Sequence, residues 1–447
     1  MRFPSPAHHR TVAEFRAHLK ALDPDFDCVD AVPAAPAAAL SRPLQLDGWR
    51  IGNRFACHPM EGWDGTADGQ PSEHTLRRWR RFGASGAKLI WGGEAFAVSH
   101  EGRANPHQLF WNPAGGSAGA LANLRAAVCD SHRETGGAVD DLLVGLQLTH
   151  SGRLACPDGS PAPRIAVRRP LLERRHPAGA TVPPLSDAEL EGIGAQFVTT
   201  AMAARDAGFD FVDIKCCHGY LLHELIGAQA RPGPYGGDFA GRTRLLRRIV
   251  AEIRSAAPGL GIGVRVSIAD TVPFVRDPAS GVGRPMTPTD PCEALGFGIA
   301  PADSPDPTAL DPTEGIAFLR LLEQLGVRLV NVTLGSPYSN PHLTRPAAYP
   351  PSDGYLPPID PLLAVLAHLR AVRACKAACP GLTLVGSGYT YLQEFLPHLA
   401  EAEVAAGRVD FVGLGRMLLS YPELPRDVLA GLPLRRKLLC RTFSDCT

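Results

Sequence analysis

The sequence carries no surplus of charge. Its 45 lysines and arginines stand against 45 aspartates and glutamates, so nothing in the balance calls for a nucleic acid or an anionic membrane as partner. It contains no apolar run long enough to cross a bilayer. Residues 1–10 are polar and lack the apolar core of a secretory leader. A cytoplasmic location is therefore expected. No Cys-x-x-Cys spacing occurs. The eleven cysteines (28, 57, 129, 156, 216, 217, 292, 375, 379, 440 and 446) are scattered and odd in number, which is the pattern of reduced thiols. A Gly-x-Gly-x-x-Gly turn is missing after the first apolar run, which argues against an open dinucleotide-binding sheet.

What is present is an alternation. Eight short runs rich in β-branched residues fall at 53–59, 87–93, 142–148, 211–216, 262–267, 329–335, 382–388 and 411–416. Between them lie amphipathic stretches at 186–207, 242–256, 313–325, 361–378 and 391–406, and Ser186 with Glu189 has capping-box spacing. Eight strand–helix units predict a closed (β/α)8 TIM barrel. The chain has 447 residues, against roughly 250 for a minimal barrel, so extensions are expected. Residues 1–45 read as an N-terminal extension, with a helix near 11–22 and an Ala/Pro-rich linker at 31–43. Residues 46–430 read as the barrel and 431–447 as a C-terminal tail. The long loop 269–312 follows the fifth strand and is expected to lie over the catalytic face.

Strand parity points to what fills the barrel mouth. Side chains alternate along a strand. If the apolar residues Val144, Leu146, Leu148, Val264 and Val266 meet the helices, then Gln147, Lys215, Arg265, Asn331 and Thr333 face inward. One reading is internal: Lys215 and Arg265 neutralise Asp213. The other is that these groups hold a polar, partly anionic ligand. The segment from Phe211 to Tyr220 places Lys215, His218 and Tyr220 where the fourth strand ends, which is where such barrels do chemistry. Gly386, Ser387 and Gly388 close the seventh run, and Gly415 and Arg416 close the eighth. Loops at those two positions often bind phosphate through backbone N–H groups, and an arginine adds a bidentate fork.

In their order, these motifs resemble the Old Yellow Enzyme-like NADH:flavin oxidoreductases. The resemblance runs from about residue 53 to 425. It is carried by Asn53-Arg54-Phe55 leading to His58-Pro59-Met60, by Gly93-Glu94-Ala95, and by Gln147 to Arg153. His218-Gly219-Tyr220, Tyr235-Gly236-Gly237 with Arg242, and the stretch 413–422 complete it. The resemblance implies one non-covalent FMN over the strand ends, NADH or NADPH as reductant, and a small electron-poor acceptor such as an enone or enoate. It implies that His58, Pro59, Met60, Glu61 and Ala95 line the flavin and that Gln147 and Arg265 bond its pyrimidine edge. Gly386, Ser387, Gly388, Gly415 and Arg416 would hold its phosphate. Tyr220 would give a proton while His218 bonds the acceptor carbonyl.

Three departures stand out. Lys215 replaces a histidine, Glu61 replaces a threonine or cysteine, and only Cys440 and Cys446 stand where longer relatives bind an iron–sulfur cluster. Two thiolates do not complete a four-ligand cluster, so none is expected. Two alternatives keep the barrel: a Schiff-base lyase using Lys215, and a flavin-binding barrel without catalysis. The sequence is compatible with a homo-oligomer and does not fix the oligomeric state.

Overall fold

The alternating run Phe211–Cys216 is a strand buried along its whole length. It belongs to a closed parallel barrel in the computed structural model, which describes residues 3–290, 293, 296–300, 304–306, 308–349 and 354–444. The eight barrel strands are β1 (Phe55–Cys57), β2 (Leu89–Ile90), β3 (Leu143–Thr149), β4 (Phe211–Cys216), β5 (Gly261–Ser267), β6 (Leu329–Thr333), β7 (Thr383–Gly386) and β8 (Phe411–Leu414). Each pairs in parallel with its neighbour in the sequence, and the ring closes because β8 pairs with β1 and β2 with β3. The second run is shorter than expected because Gly92 and Gly93 break it. The chain then resumes as Ala95–Ala97, a short strand beside the C-terminal half of β3, with Ala95 opposite Gln147.

Register stacks the inward side chains in layers, as barrel geometry requires. Phe211 lies opposite Gly145 on one side and Gly261 on the other. A Cβ at Gly145 would come within 2.2 Å of the Phe211 ring, so only glycine leaves room for it. One layer up, Asp213 faces Gln147, and above it Lys215 lies opposite Arg265, which in turn lies opposite Asn331. The inner floor is apolar. Leu46, Ile51, Leu89, Trp91, Leu143, Phe211, Leu329 and Phe411 pack together. Leu46 and Ile51 come from an antiparallel hairpin, Leu44–Leu46 with Trp49–Ile51, that closes the N-terminal end of the barrel. Sequence periodicity did not separate this hairpin from the linker before it, because each arm has only three residues.

The outer helices form where amphipathic spacing predicts them. Helix Asp187–Asp206 starts with a reciprocal box: the Ser186 N–H donates to Glu189 Oε2 at 2.8 Å, and the Glu189 N–H donates to Ser186 Oγ at 3.2 Å. Helix Phe239–Ala256 is capped by Asp238, whose side chain accepts from the Gly241 N–H. It buries Leu245, Leu246, Ile249, Val250 and Ile253 against the barrel. Each such side chain stabilises the fold by roughly 1.5–3 kcal/mol. The helix expected at 391–406 is two pieces, tight turns over Tyr389–Phe395 and then Leu396–Ala405. Pro397 sits in the first turn and restarts the helix there.

The Ala/Pro stretch is a docked strap instead of a free linker. Ala38, Ala39 and Leu40 are buried, and the N–H groups of Ala39 and Leu40 donate to the Glu401 carboxylate at 2.6 and 3.0 Å. Upstream, Phe15 stacks on Phe395, with ring centroids 4.3 Å apart. The small apolar residues of this linker are what let the strap lie flat against the helix that carries Glu401. The loop after β5 also carries structure, a hairpin of Phe274–Arg276 with Gly283–Pro285. No helix among the described residues is long and apolar enough to cross a membrane. Nine cysteines are described and all are free thiols, while Cys292 and Cys446 lie outside the described residues.

Candidate active site

The C-terminal ends of the strands bring together most of the residues singled out by parity. Asp213 is fully buried and forms the hub. Its Oδ2 accepts from the Trp91 indole N–H at 2.7 Å and from Gln147 Nε2 at 2.5 Å, and its Oδ1 accepts from the Arg265 backbone N–H at 2.6 Å. Neutralisation of Asp213 by Lys215 and Arg265 is therefore not the direct pairing that one reading expected. Three N–H donors satisfy the carboxyl, and both cationic heads lie elsewhere. Burial still raises the Asp213 carboxyl above its ordinary value.

The Arg265 side chain rises past this hub. Its Nη1 donates to the Pro59 carbonyl at 3.4 Å, and its Nε is buried with no partner among the described residues. Burial lowers its pKa from the ordinary guanidinium value. Across the mouth, His58 turns inward from the end of β1. Its Nδ1 is 3.0 Å from Asn331 Nδ2 and its Nε2 is 3.2 Å from Ser387 Oγ. A Cβ at Gly413 would lie 2.2 Å from the His58 ring, so glycine on β8 makes room for the imidazole. Burial first, and then Arg265, push His58 well below the ordinary histidine value, so it is neutral near pH 7.

Lys215 is 95% buried, with relative exposure of 5%. Its Nζ lies 3.6 Å from the centre of the Tyr220 ring. Among the described residues it makes neither a hydrogen bond nor an ion pair. Burial lowers its pKa, opposed by Cys217 and Glu61. The Tyr220 hydroxyl is held by Glu61 Oε2 in a short hydrogen bond and lies 3.0 Å from the Tyr338 hydroxyl. Burial, then the Glu61 charge, drive the Tyr220 phenol far above its ordinary value.

His218 sits at φ +66°, a conformation uncommon for a residue with a side chain. Two bonds hold it there: its N–H donates to Ser267 Oγ at 3.1 Å, and Ser336 Oγ donates to its carbonyl at 2.8 Å. The ring Nε2 is left buried and unpartnered among the described residues. Such strain is characteristic of functional positions.

The glycine loops meet beside this mouth. Val385 pairs with Phe411 and Gly386 with Val412, so the ends of β7 and β8 are neighbours. Gly388 has φ +93°, a conformation that favours glycine, and Gly415 faces Met60. Arg416 begins the next helical turn, and its Nη2 donates to the Pro346 carbonyl at 2.9 Å. Pro59 and Glu61 thus meet Arg265 and Tyr220, Ala95 lies opposite Gln147, and Gly415 faces Met60.

Three contributors were not anticipated: Tyr338, Asn105 and Trp91. Tyr338 follows Gly335-Ser336-Pro337 at the C-terminal end of β6, and that turn was a usable signal. Trp91 continues the inward parity of Leu89. Asn105, whose Nδ2 donates to Glu61 Oε1 at 3.2 Å, arrives from a loop and has no periodic signature.

Comparison with known proteins agrees with this geometry. The sequence profile described as the NADH:flavin oxidoreductase / NADH oxidase family matches residues 39–277. The chain is 28% identical over 253 residues to an NADPH dehydrogenase of Bacillus subtilis (strain 168), covering 55% of this chain and 69% of that protein. It is 29% identical over 293 residues to a putative 12-oxophytodienoate reductase 12 of Oryza sativa subsp. japonica, covering 64% and 59%. In structure it resembles a 2-naphthoyl-CoA reductase complex with TM-score 0.62 at 15% identity, over 88% of this chain and 52% of that one. The chain thus spans about half the length of that solved structure.

Proposed function

The chain belongs to the NADH:flavin oxidoreductase / NADH oxidase family, and from that premise we propose that it is an FMN-dependent NAD(P)H oxidoreductase reducing an electron-poor acceptor such as an activated alkene. The observation that carries this reading is the convergence at one barrel end of three buried polar atoms without partners among the described residues. These are Arg265 Nε, His218 Nε2 and Asn331 Oδ1. Unpaired buried donors and acceptors are costly and mark a place that a polar ligand completes. The donor set suits FMN: a cationic edge from Arg265, an amide from Gln147, an apolar bed from Pro59 and Met60, and glycine loops at β7 and β8 for the phosphate.

When bound, the flavin supplies the hydride chemistry. The protein's own residues do the rest. His218 Nε2 bonds the acceptor's carbonyl oxygen, and Lys215 adds a positive charge beside it. Tyr220 Oη is the proton source for the carbon next to the one that receives hydride. The flavin assignment is tested by the purified protein. It should be yellow, lose its colour into the filtrate on denaturation, and be bleached anaerobically by NADH or NADPH, with colour restored by an enone. A colourless protein that also fails to take up added FMN would overturn it. Arg416→Ala should weaken retention of FMN on dilution, and unchanged retention would remove the phosphate role from the β8 loop.

Lys215 provides a sharper test. A buried ammonium with no hydrogen-bonding partner destabilises the fold, so Lys215→Met should raise stability, by about 1–2 kcal/mol. The sign follows from the lowered pKa. Below that pKa the native state carries the full penalty of a buried charge, and the penalty fades as pH rises toward the unfolded value near 10.4. The gain in the variant is therefore largest below the lowered folded-state value and vanishes at alkaline pH. Affinity for a carboxylate-bearing acceptor should fall in the same variant. Loss of stability, with acceptor binding intact, would assign Lys215 to pairing with Asp213 instead.

A further inference from the structure

Glu61 is half-buried at the end of β1, and its carboxylate lies in the hydroxyl network of the proposed proton donor. Oε2 accepts from the Tyr220 hydroxyl, while Oε1 accepts from Asn105 Nδ2 at 3.2 Å. The Tyr338 hydroxyl stands 3.0 Å from that of Tyr220, and the two rings stack with centroids 6.0 Å apart. Lys215 covers the face of the Tyr220 ring. The phenol therefore has one anion and one hydroxyl at its oxygen and one cation on its face.

This arrangement sets a condition on proton donation. If Tyr220 gives up its proton while Glu61 is ionised, a phenolate is created within hydrogen-bond distance of a carboxylate. Two anions that close oppose each other strongly in a buried site. If Glu61 carries a proton, the conflict disappears, because that proton moves to the phenolate as it forms. Glu61 and Tyr338 are the partly exposed members of the network, while Tyr220 and Asn105 are buried.

We propose that Glu61 is the proton store for Tyr220, so that the two form a relay that works only with Glu61 in its acid form. The inference rests on the reading that an acceptor binds against Tyr220. The step balances. The Tyr220 Oη–H bond breaks and a C–H bond forms on the acceptor. The Glu61 Oε2–H bond breaks and the Tyr220 Oη–H bond is remade. Glu61 is left as a carboxylate and takes its next proton from water. Both electrons reach the acceptor with the hydride, whose source is NAD(P)H by way of the flavin. Lys215 offsets the negative charge that passes through the phenol. Around the pair, Tyr338 acts on Tyr220 directly, Arg345 after β6 acts on Tyr338, and Cys217, Arg265 and Asp213 act on Lys215. Glu61→Gln leaves all of these in place.

The first measurement needs neither flavin nor acceptor. Ultraviolet difference titration of the flavin-free protein against Tyr220→Phe isolates ionisation of Tyr220. The same difference in the Glu61→Gln background should show Tyr220 ionising at lower pH, because the opposing carboxylate is gone. An unchanged midpoint overturns the pairing, whatever the natural acceptor is. The second measurement is the pH profile of the acceptor half-reaction. In the parent protein the rate should show a limb that falls as pH rises, because the relay needs a proton on Glu61. In Glu61→Gln that limb should disappear, leaving a flat rate lower than the acid plateau by on the order of tenfold or more. If the midpoint shifts but the falling limb persists unchanged in Glu61→Gln, the two groups interact only electrostatically and the relay is refuted. If the parent bleaches with NAD(P)H but no acceptor reoxidises it, the acceptor reading fails and the relay fails with it, while the titration still reports on the pair.

Discussion

Tyr220→Phe should slow oxidation of the reduced protein by an enone on the order of 10²–10⁴-fold, the usual worth of a positioned proton transfer. Reduction by the nicotinamide should be unchanged, because no proton from Tyr220 enters that half-reaction. The substitution is conservative in shape: the ring stays under Lys215 and against Tyr338, and only the hydroxyl is lost. Stopped-flow measurement of each half-reaction separates the outcomes. Equal slowing of both would mean that the ring had shifted and that the variant reports packing. Full speed in both would assign the proton to another group. Tyr338 would then be the first to test, since its hydroxyl is 3.0 Å away.

Asp213→Ala should be the most damaging single change for stability. It leaves the Trp91 indole, the Gln147 amide and the Arg265 backbone N–H without their shared acceptor in the barrel interior. Leaving a buried donor without an acceptor is destabilising by about 1–3 kcal/mol, here for up to three donors, and a cavity adds to it. Denaturant unfolding followed by circular dichroism measures this. Flavin retention should fall alongside, because Gln147 and Arg265 are set in place by this carboxyl. A variant as stable as the parent would show that the three donors find other acceptors, and that the hub is not what orders the mouth.

These expectations differ in how far they were legible before folding. The period of two in Phe211–Cys216 and the eight runs alternating with helical stretches predict the barrel, and the pairing of β8 with β1 and of β2 with β3 closes it. The same period puts Gln147, Asp213, Lys215, Arg265 and Asn331 inside, since an apolar outer face leaves them nowhere else to point. Residue types in order along the chain were enough to place the family. The hairpin at Leu44–Leu46 and the docked strap were not legible, because three-residue arms and Ala/Pro composition carry no period. Asn105 was silent for the same reason.

The sequence by itself therefore determined the architecture, the identity of the inward residues and the end of the barrel at which they gather. Only the tertiary structure decided their partners. Parity says that Lys215, Asp213 and Arg265 share an interior, and simple charge arithmetic pairs them. Register and side-chain length decide otherwise: Asp213 is one layer down, within reach of the Trp91 and Gln147 side chains, while the Lys215 head extends upward onto Tyr220. Glu61 and Tyr220 are separated by 159 positions. No local pattern links them, because their contact exists only where β1 and β4 end at the same face of a closed ring. Hydrogen bonds act over about 3 Å, so which acid meets which phenol is set by where the backbone carries them.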